Sequence, residues 1–305
     1  MNATWRFRLA GGVGALLALG TPRGARAQGD AVGAELWRVV GTTIAVPFAL
    51  TQGTSAAFWN PAQTVTAPGV GGDIVETPEA ISVTGILAVV RTGPGRLGSW
   101  GLVYGQVDIG DITRTSFTPD PEGTIPVYTR DVGLTWAKGW GSTTVGATIG
   151  AHDSRLDQTE YQHWTGDLGV TQHVGEVLSI AAATHFFYRF ATGDASQDLY
   201  AGVEWRAVHG PIWDGSGDVA LRLRYGATLA HGMGTDHAFG LGIDVGAPFA
   251  IDGMLVREGT FGNTAWRGVG AVRVHIGHYG ISFARDAGVS GLGSSYRVGL
   301  EARFK

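Results

Sequence analysis

The chain has 305 residues, no cysteine, a formal net charge of −4 and only 16 % charged residues. Without cysteine neither a disulfide framework nor a thiolate metal site is available, and an acid-leaning chain without basic stripes excludes nucleic acid as a partner. Fifty glycines and ten tryptophans in so charge-poor a chain read as a transmembrane β-barrel, with a secreted sandwich or propeller as the alternative.

Residues 1–27 read as an export signal. Arg6 and Arg8 form a basic start, residues 9–20 are an apolar run, and Ala25-Arg26-Ala27 supplies small residues for cleavage before Gln28. Twelve residues span only ~18 Å as a helix, too short for a membrane anchor. The signal holds four arginines and no acid, so the remainder carries 18 basic against 26 acidic residues, a net −8. Beyond it no apolar run approaches the length of a transmembrane helix.

Residues 28–63 form an N-terminal segment and residues 64–305 the barrel. Within the barrel region, stretches of about ten residues alternate with period two between Gly, Pro and Asp punctuation. In residues 218–230, Val219, Leu221, Leu223, Tyr225, Ala227 and Leu229 share one face, and Ala220, Arg222, Arg224, Gly226 and Thr228 the other. An apolar face opposite one of glycine and charge is the lipid-out, lumen-in pattern. The spacing predicts strands near 81–91, 99–108, 128–138, 142–151, 165–174, 177–189, 198–208, 218–230, 237–247, 250–257, 266–276, 279–285 and a last one ending at Phe304. An even-stranded closed barrel then needs one more, within 64–78, where Pro68 and Gly69 interrupt the pattern. The expectation is an all-β antiparallel transmembrane barrel of fourteen strands with a weak first one, or twelve if that strand is missing. Short connections fall at one end, assigned to the periplasm, and the longer ones at 109–127 and 152–164 fall outside. Trp100, Trp136, Trp140, Trp205 and Trp213 map to the short-turn end and Trp164 and Trp266 to the other, as interfacial girdles. Outer-membrane lipid and the barrel-assembly machinery are the partners such a chain implies.

No catalytic constellation appears: there is neither a Gly-x-Ser-x-Gly elbow nor a His-Glu-x-x-His pair. Gly240, Gly242 and Gly246 lie within an alternating strand. His275 and His278 flank a turn and make too weak a metal site, and Asp108 and Asp111 read as a solvated loop edge. No enzyme activity, cofactor or metal is expected. By parity Arg189, Glu204, Arg206, Arg222, Arg224, Asp244, Arg267, Arg273, Arg297, Glu301 and Arg303 face inward, because an arginine on the lipid face costs up to ~2–4 kcal/mol near the midplane. Both signs are present, so an ion-paired lining is expected, with an arginine-rich surface for anionic solutes as the alternative.

The N-terminal segment differs from everything after it. Gly53-Thr54-Ser55-Ala56-Ala57-Phe58-Trp59-Asn60-Pro61-Ala62 is small-residue-rich and helix-like and stops at Asn60-Pro61. Its Gly53, Ser55, Trp59, Asn60, Pro61 and Ala62 resemble the N-terminal signature of the FadL/TodX-type outer-membrane transport family, in which this element lies in the segment plugging the barrel. The likeness is closer to the shorter PorV/PorQ-like branch, since Trp100 to Tyr104 and the Asp108-Ile109-Gly110-Asp111-Ile112 turn also match it. Gln63 departs from the usual glycine. The FadL-type resemblance implies an N-terminal helical plug and passage of small hydrophobic molecules in the bacterial outer membrane. The PorV-like resemblance implies an accessory or scaffold for protein secretion, with secreted proteins as partners.

Overall fold

The computed structural model describes residues 43–65, 68–77, 82–115, 122–188, 195–211, 218–230, 234–246, 248–259, 264–288 and 293–304. The export signal, residues 28–42 of the N-terminal segment, Arg189 and Trp213 lie outside this set.

Fourteen antiparallel strands close on themselves: β1 Gly69–Thr77, β2 Val83–Arg91, β3 Ser99–Ile109, β4 Val127–Trp140, β5 Thr143–Leu156, β6 Thr159–Val174, β7 Leu178–Tyr188, β8 Ala195–Pro211, β9 Asp218–Ala230, β10 Thr235–Val245, β11 Phe249–Glu258, β12 Ala265–Ile276, β13 Tyr279–Asp286 and β14 Ser295–Arg303. Each pairs with its sequence neighbours, and β1 pairs with β14 from Gly69↔Arg303 to Glu76↔Tyr296. Closure leaves no strand edge, so every ladder group has a partner without help from water.

Period-two alternation orients the wall. On β9 the odd positions Leu223, Tyr225 and Leu229 are exposed while Arg222, Arg224 and Gly226 are buried. The same division runs round the barrel, putting Ile86, Leu102, Val132, Ile149, Ile251, Val272 and Leu300 on an apolar exterior. An outer surface this apolar on a closed barrel is the surface a bilayer covers. The one break in register is between Arg206 and Val208 on β8. The extra residue of this bulge keeps Arg206 inward and still turns Val208 outward.

The weak first strand is present as β1, and the reason its pattern is poor is now visible. Its inner face carries Gly69 and Gly71, and a Cβ at Gly71 would overlap the Thr54 hydroxyl of the N-terminal segment. One expected loop is absent. Residues 152–164 are not an external loop; β5 and β6 run on through them and join at the tight turn of Asp157, at φ 56°. The other long connection, after β3, holds as a loop and carries the isolated Thr113↔Thr124 bridge. At the opposite end Gly141 and Gly277 take φ of 59° and 60° in two-residue connections, the left-handed geometry that tight hairpins require. Trp100, Trp140 and Trp205 are exposed near this short-turn end, Trp164 and Trp266 near the other.

Candidate functional site

Residues 43–64 pack against lumen-facing positions of the strands. A 3-10 turn at Phe48–Leu50 is followed by a second at Gly53–Ser55, then one α-helical turn, α1, at Ala56–Trp59, and a third 3-10 turn at Pro61–Thr64. The helix ends where the sequence says it must. Asn60 is extended (φ −150°), as a residue before proline prefers, and its side-chain oxygen accepts from the Ala62 N–H at 3.1 Å, replacing a backbone bond. Its Nδ2 donates to the Ala49 carbonyl at 2.6 Å, tying the first 3-10 turn to the last. Asn60 is fully buried, and these two bonds satisfy both ends of the amide.

Aromatic stacking fixes the other side of the segment. Phe48 and Trp59 stack at 4.3 Å between centroids with 12° between planes, and Tyr200 of β8 meets both rings edge-on at 5.3 and 5.8 Å. The strands make room with glycine. A Cβ at Gly146 would collide with Pro61, one at Gly169 with Asn60, one at Gly202 with Leu50 and one at Gly226 with Pro47. The glycines of β5, β6, β8 and β9 thus form a smooth inner surface for backbone-close contact.

The charged positions form one side of the lumen. Arg224 on β9 bonds Glu204 of β8 at 2.5 Å and Asp252 of β11 at 2.6 Å, and Arg273 of β12 reaches the second oxygen of Asp252 at 2.7 Å. Arg222 pairs with Asp244 of β10. Across the barrel seam Arg297 of β14 holds Asp73 of β1 at 2.6 Å and also meets Ser55 of the N-terminal segment, whose hydroxyl lies 3.1 Å from the same carboxylate. Glu301 of β14 pairs with Arg91 of β2 and, at 3.3 Å, with Arg303. Arg267 sits nearer the loop end between Glu258 and Asp286. Arg206 faces inward directly opposite Arg222. Of the plug-motif residues, Ser55, Trp59, Asn60, Pro61 and Ala62 are buried and Gly53 is half-buried at φ 75°. A cavity of ≈ 180 Å³ lies between residues 43–55 and this charged wall.

Two features escaped the sequence. The inner face of β1–β4 carries an apolar patch toward the loop end: Val75, Val83, Leu87, Val89, Val103, Val107 and Val127 are buried in one cluster with Phe58 and Trp59, and Ile109, Ile112 and Ile125 pack on it. Residues 83–91 are apolar on both faces, so alternation could not assign an inner side. Further round, Asp131, His152, Asp167, His185 and Asp198 line the inside of β4–β8. Thr129 Oγ1 bonds His152 at 2.8 Å, and His185 pairs with Asp167. Of these only His152 lies in the residues 152–164 that read as a loop; Asp131, Asp167, His185 and Asp198 fall within the expected strands, where parity alone places them inward.

No protein-family model and no characterised relative matches this sequence. Solved structures do. The toluene transporter TbuX of Ralstonia pickettii superposes with a TM-score of 0.51 at 15 % identity, covering 83 % of this chain and 94 % of that one. The toluene transporter TodX of P. putida gives 0.51 at 10 % identity, with 83 % and 94 % covered. The fold is that of a FadL/TodX-type barrel. At these identities the likeness is one of architecture, and it spans nearly the whole of both transporters.

Proposed function

We propose that this chain is an outer-membrane transport barrel that passes small hydrophobic molecules around an N-terminal plug. The observation that carries the reading is the two-sided lumen: an apolar patch on the loop-end half of β1–β4 faces the same interior as an ion-paired wall that runs along β8–β14 and across the seam to Asp73 and Arg91. Val83, Leu87, Val103 and Val107 are covered by Phe58 and Trp59 of the segment, so movement of the segment uncovers an apolar path along this side. The charged wall is largely neutralised pair by pair, so an apolar solute following the other side need not desolvate free charge. Both transporters of like fold are named for toluene, which supports a small apolar aromatic molecule as the class to try first. In this reading the short-turn end faces the periplasm, and residues 43–64 are the plug. The secretion-accessory reading rests only on the sequence resemblance of residues 53–62, 100–104 and 108–112, and recovery of exported proteins by crosslinking would be its support.

The test is accumulation of a small aromatic hydrocarbon by whole cells with and without the gene for this chain. The reading predicts slower accumulation on deletion, restored by the wild-type copy. Equal accumulation would remove transport of this class.

A further inference from the structure

The charged wall does not balance at the short-turn end. Among the described residues, seven arginines face inward there, on β2, β8, β9, β12 and β14, against five carboxylates. The excess has a location. Arg206 has no carboxylate or hydrogen-bond partner among the described residues, and its Nε is buried. It sits directly across the strand pair from Arg222, whose Nε is also buried without an acceptor. Arg222 lines the ≈ 180 Å³ cavity together with Arg273, Arg303 and His275, and with the carboxylates of Asp73, Glu204, Asp252 and Glu301; Arg206 is not among its lining residues and bears on it through Arg222. Arg303 is the least committed of these: its side chain is 46 % exposed, its nearest carboxylate is at 3.3 Å, and its Nη2 faces the His275 ring at 3.4 Å.

Two like charges opposite one another on adjacent strands repel, and guanidinium N–H groups without acceptors cost free energy where water is scarce. An oxyanion in the cavity offsets the first penalty by its charge, and guanidinium is the side chain whose geometry matches it, through paired N–H···O bonds from the Nη groups.

We propose that the short-turn end of the lumen binds a small oxyanion, a carboxylate or phosphate group, in the cavity between Arg222, flanked by Arg206, and the Arg273–Arg303 side. The site is separate from the apolar patch and does not depend on what passes along it. Its size suits a small organic acid or a phosphate monoester, not a polymer. Arg91, Arg224 and Arg297 are held by Glu301, Asp252 and Asp73 and form the rigid surround; Arg222 and Arg273 also hold Asp244 and Asp252, and offer the anion the guanidinium N–H groups that those pairs leave over.

The experiment is isothermal titration of the folded full chain in detergent with sodium phosphate and, separately, sodium succinate, at fixed ionic strength set by chloride. Saturable binding of at least one is expected. Phosphate alone would assign a phosphate group, succinate alone a carboxylate. Arg303→Gln should weaken binding tenfold or more while keeping heat-modifiable gel mobility. Arg206→Gln breaks no ion pair and should weaken it less, through Arg222, and Arg130→Gln, on the outer face, should bind as wild type. If neither anion binds saturably, or if folded Arg206→Gln and Arg303→Gln both bind as wild type, the site does not exist.

Discussion

Asn60 lies against Gly169 so closely that no side chain fits between them: a Cβ at Gly169 would fall on the Asn60 amide oxygen. The contact joins the one polar residue that closes the N-terminal segment to a lumen-facing position of β6. Gly169→Ala must therefore push the segment off its seat or bend the strand. Overpacking of this kind costs about 1–3 kcal/mol. Gly270→Ala is the control, since a Cβ there meets nothing within 4 Å. Urea unfolding in detergent should show the midpoint lowered for Gly169→Ala and unmoved for Gly270→Ala.

Asn60→Ala removes the acceptor for Ala62 N–H and the donor to the Ala49 carbonyl, both buried. Leaving such groups unpaired costs about 1–3 kcal/mol. The loss falls on the segment, because neither partner belongs to a strand. Limited proteolysis should cut residues 43–64 faster than in the wild type, while heat-modifiable mobility of the barrel persists. Loss of both together would refute the assignment.

Arg224 stands between Glu204 and Asp252 with only 1 % of its side chain exposed. Arg224→Leu leaves two buried carboxylates short of a partner, with Arg273 still on Asp252. Removing one member of such a cluster costs about 3–5 kcal/mol. The variant should unfold at markedly lower urea. Because the pairs are buried, the wild-type midpoint should change little between low and high salt.

Much of this was legible in residue order and some of it was not. Arg222 and Arg224 alternate with Leu221, Leu223 and Tyr225 over a full strand, and that local pattern alone sets inside and outside. The partners of those arginines were not legible. Arg297 meets Asp73, and Arg91 meets Glu301, only because β1 closes on β14 some two hundred residues away. Residues 152–164 misled for another reason. Asp153, Arg155, Glu160 and Gln162 face outward and His152, Ser154 and His163 inward, so both faces are polar and no alternation shows. A strand end of this composition, beyond Trp164 at the loop-end girdle, resembles a loop until its pairing is seen.

The lipid face makes its own prediction. Ile149 lies mid-strand on β5, is 57 % exposed and points outward. Ile149→Arg should cost about 2–4 kcal/mol for folding into a bilayer. Its effect in a short-chain detergent should be smaller. Equal destabilisation in both would mean that this face does not meet hydrocarbon.

The most direct test of a filled lumen uses the absence of cysteine from the chain. A Cβ built at Gly71 on β1 lies 3.3 Å from the Cβ of Thr54 in the N-terminal segment, close to the ~3.5–4.5 Å that a disulfide spans. Thr54→Cys combined with Gly71→Cys should form a disulfide on mild oxidation of the folded barrel, seen as a mobility shift reversed by reductant. A folded double variant whose two thiols both stay free and react with a water-soluble maleimide would contradict the seating of residues 43–64 inside the barrel.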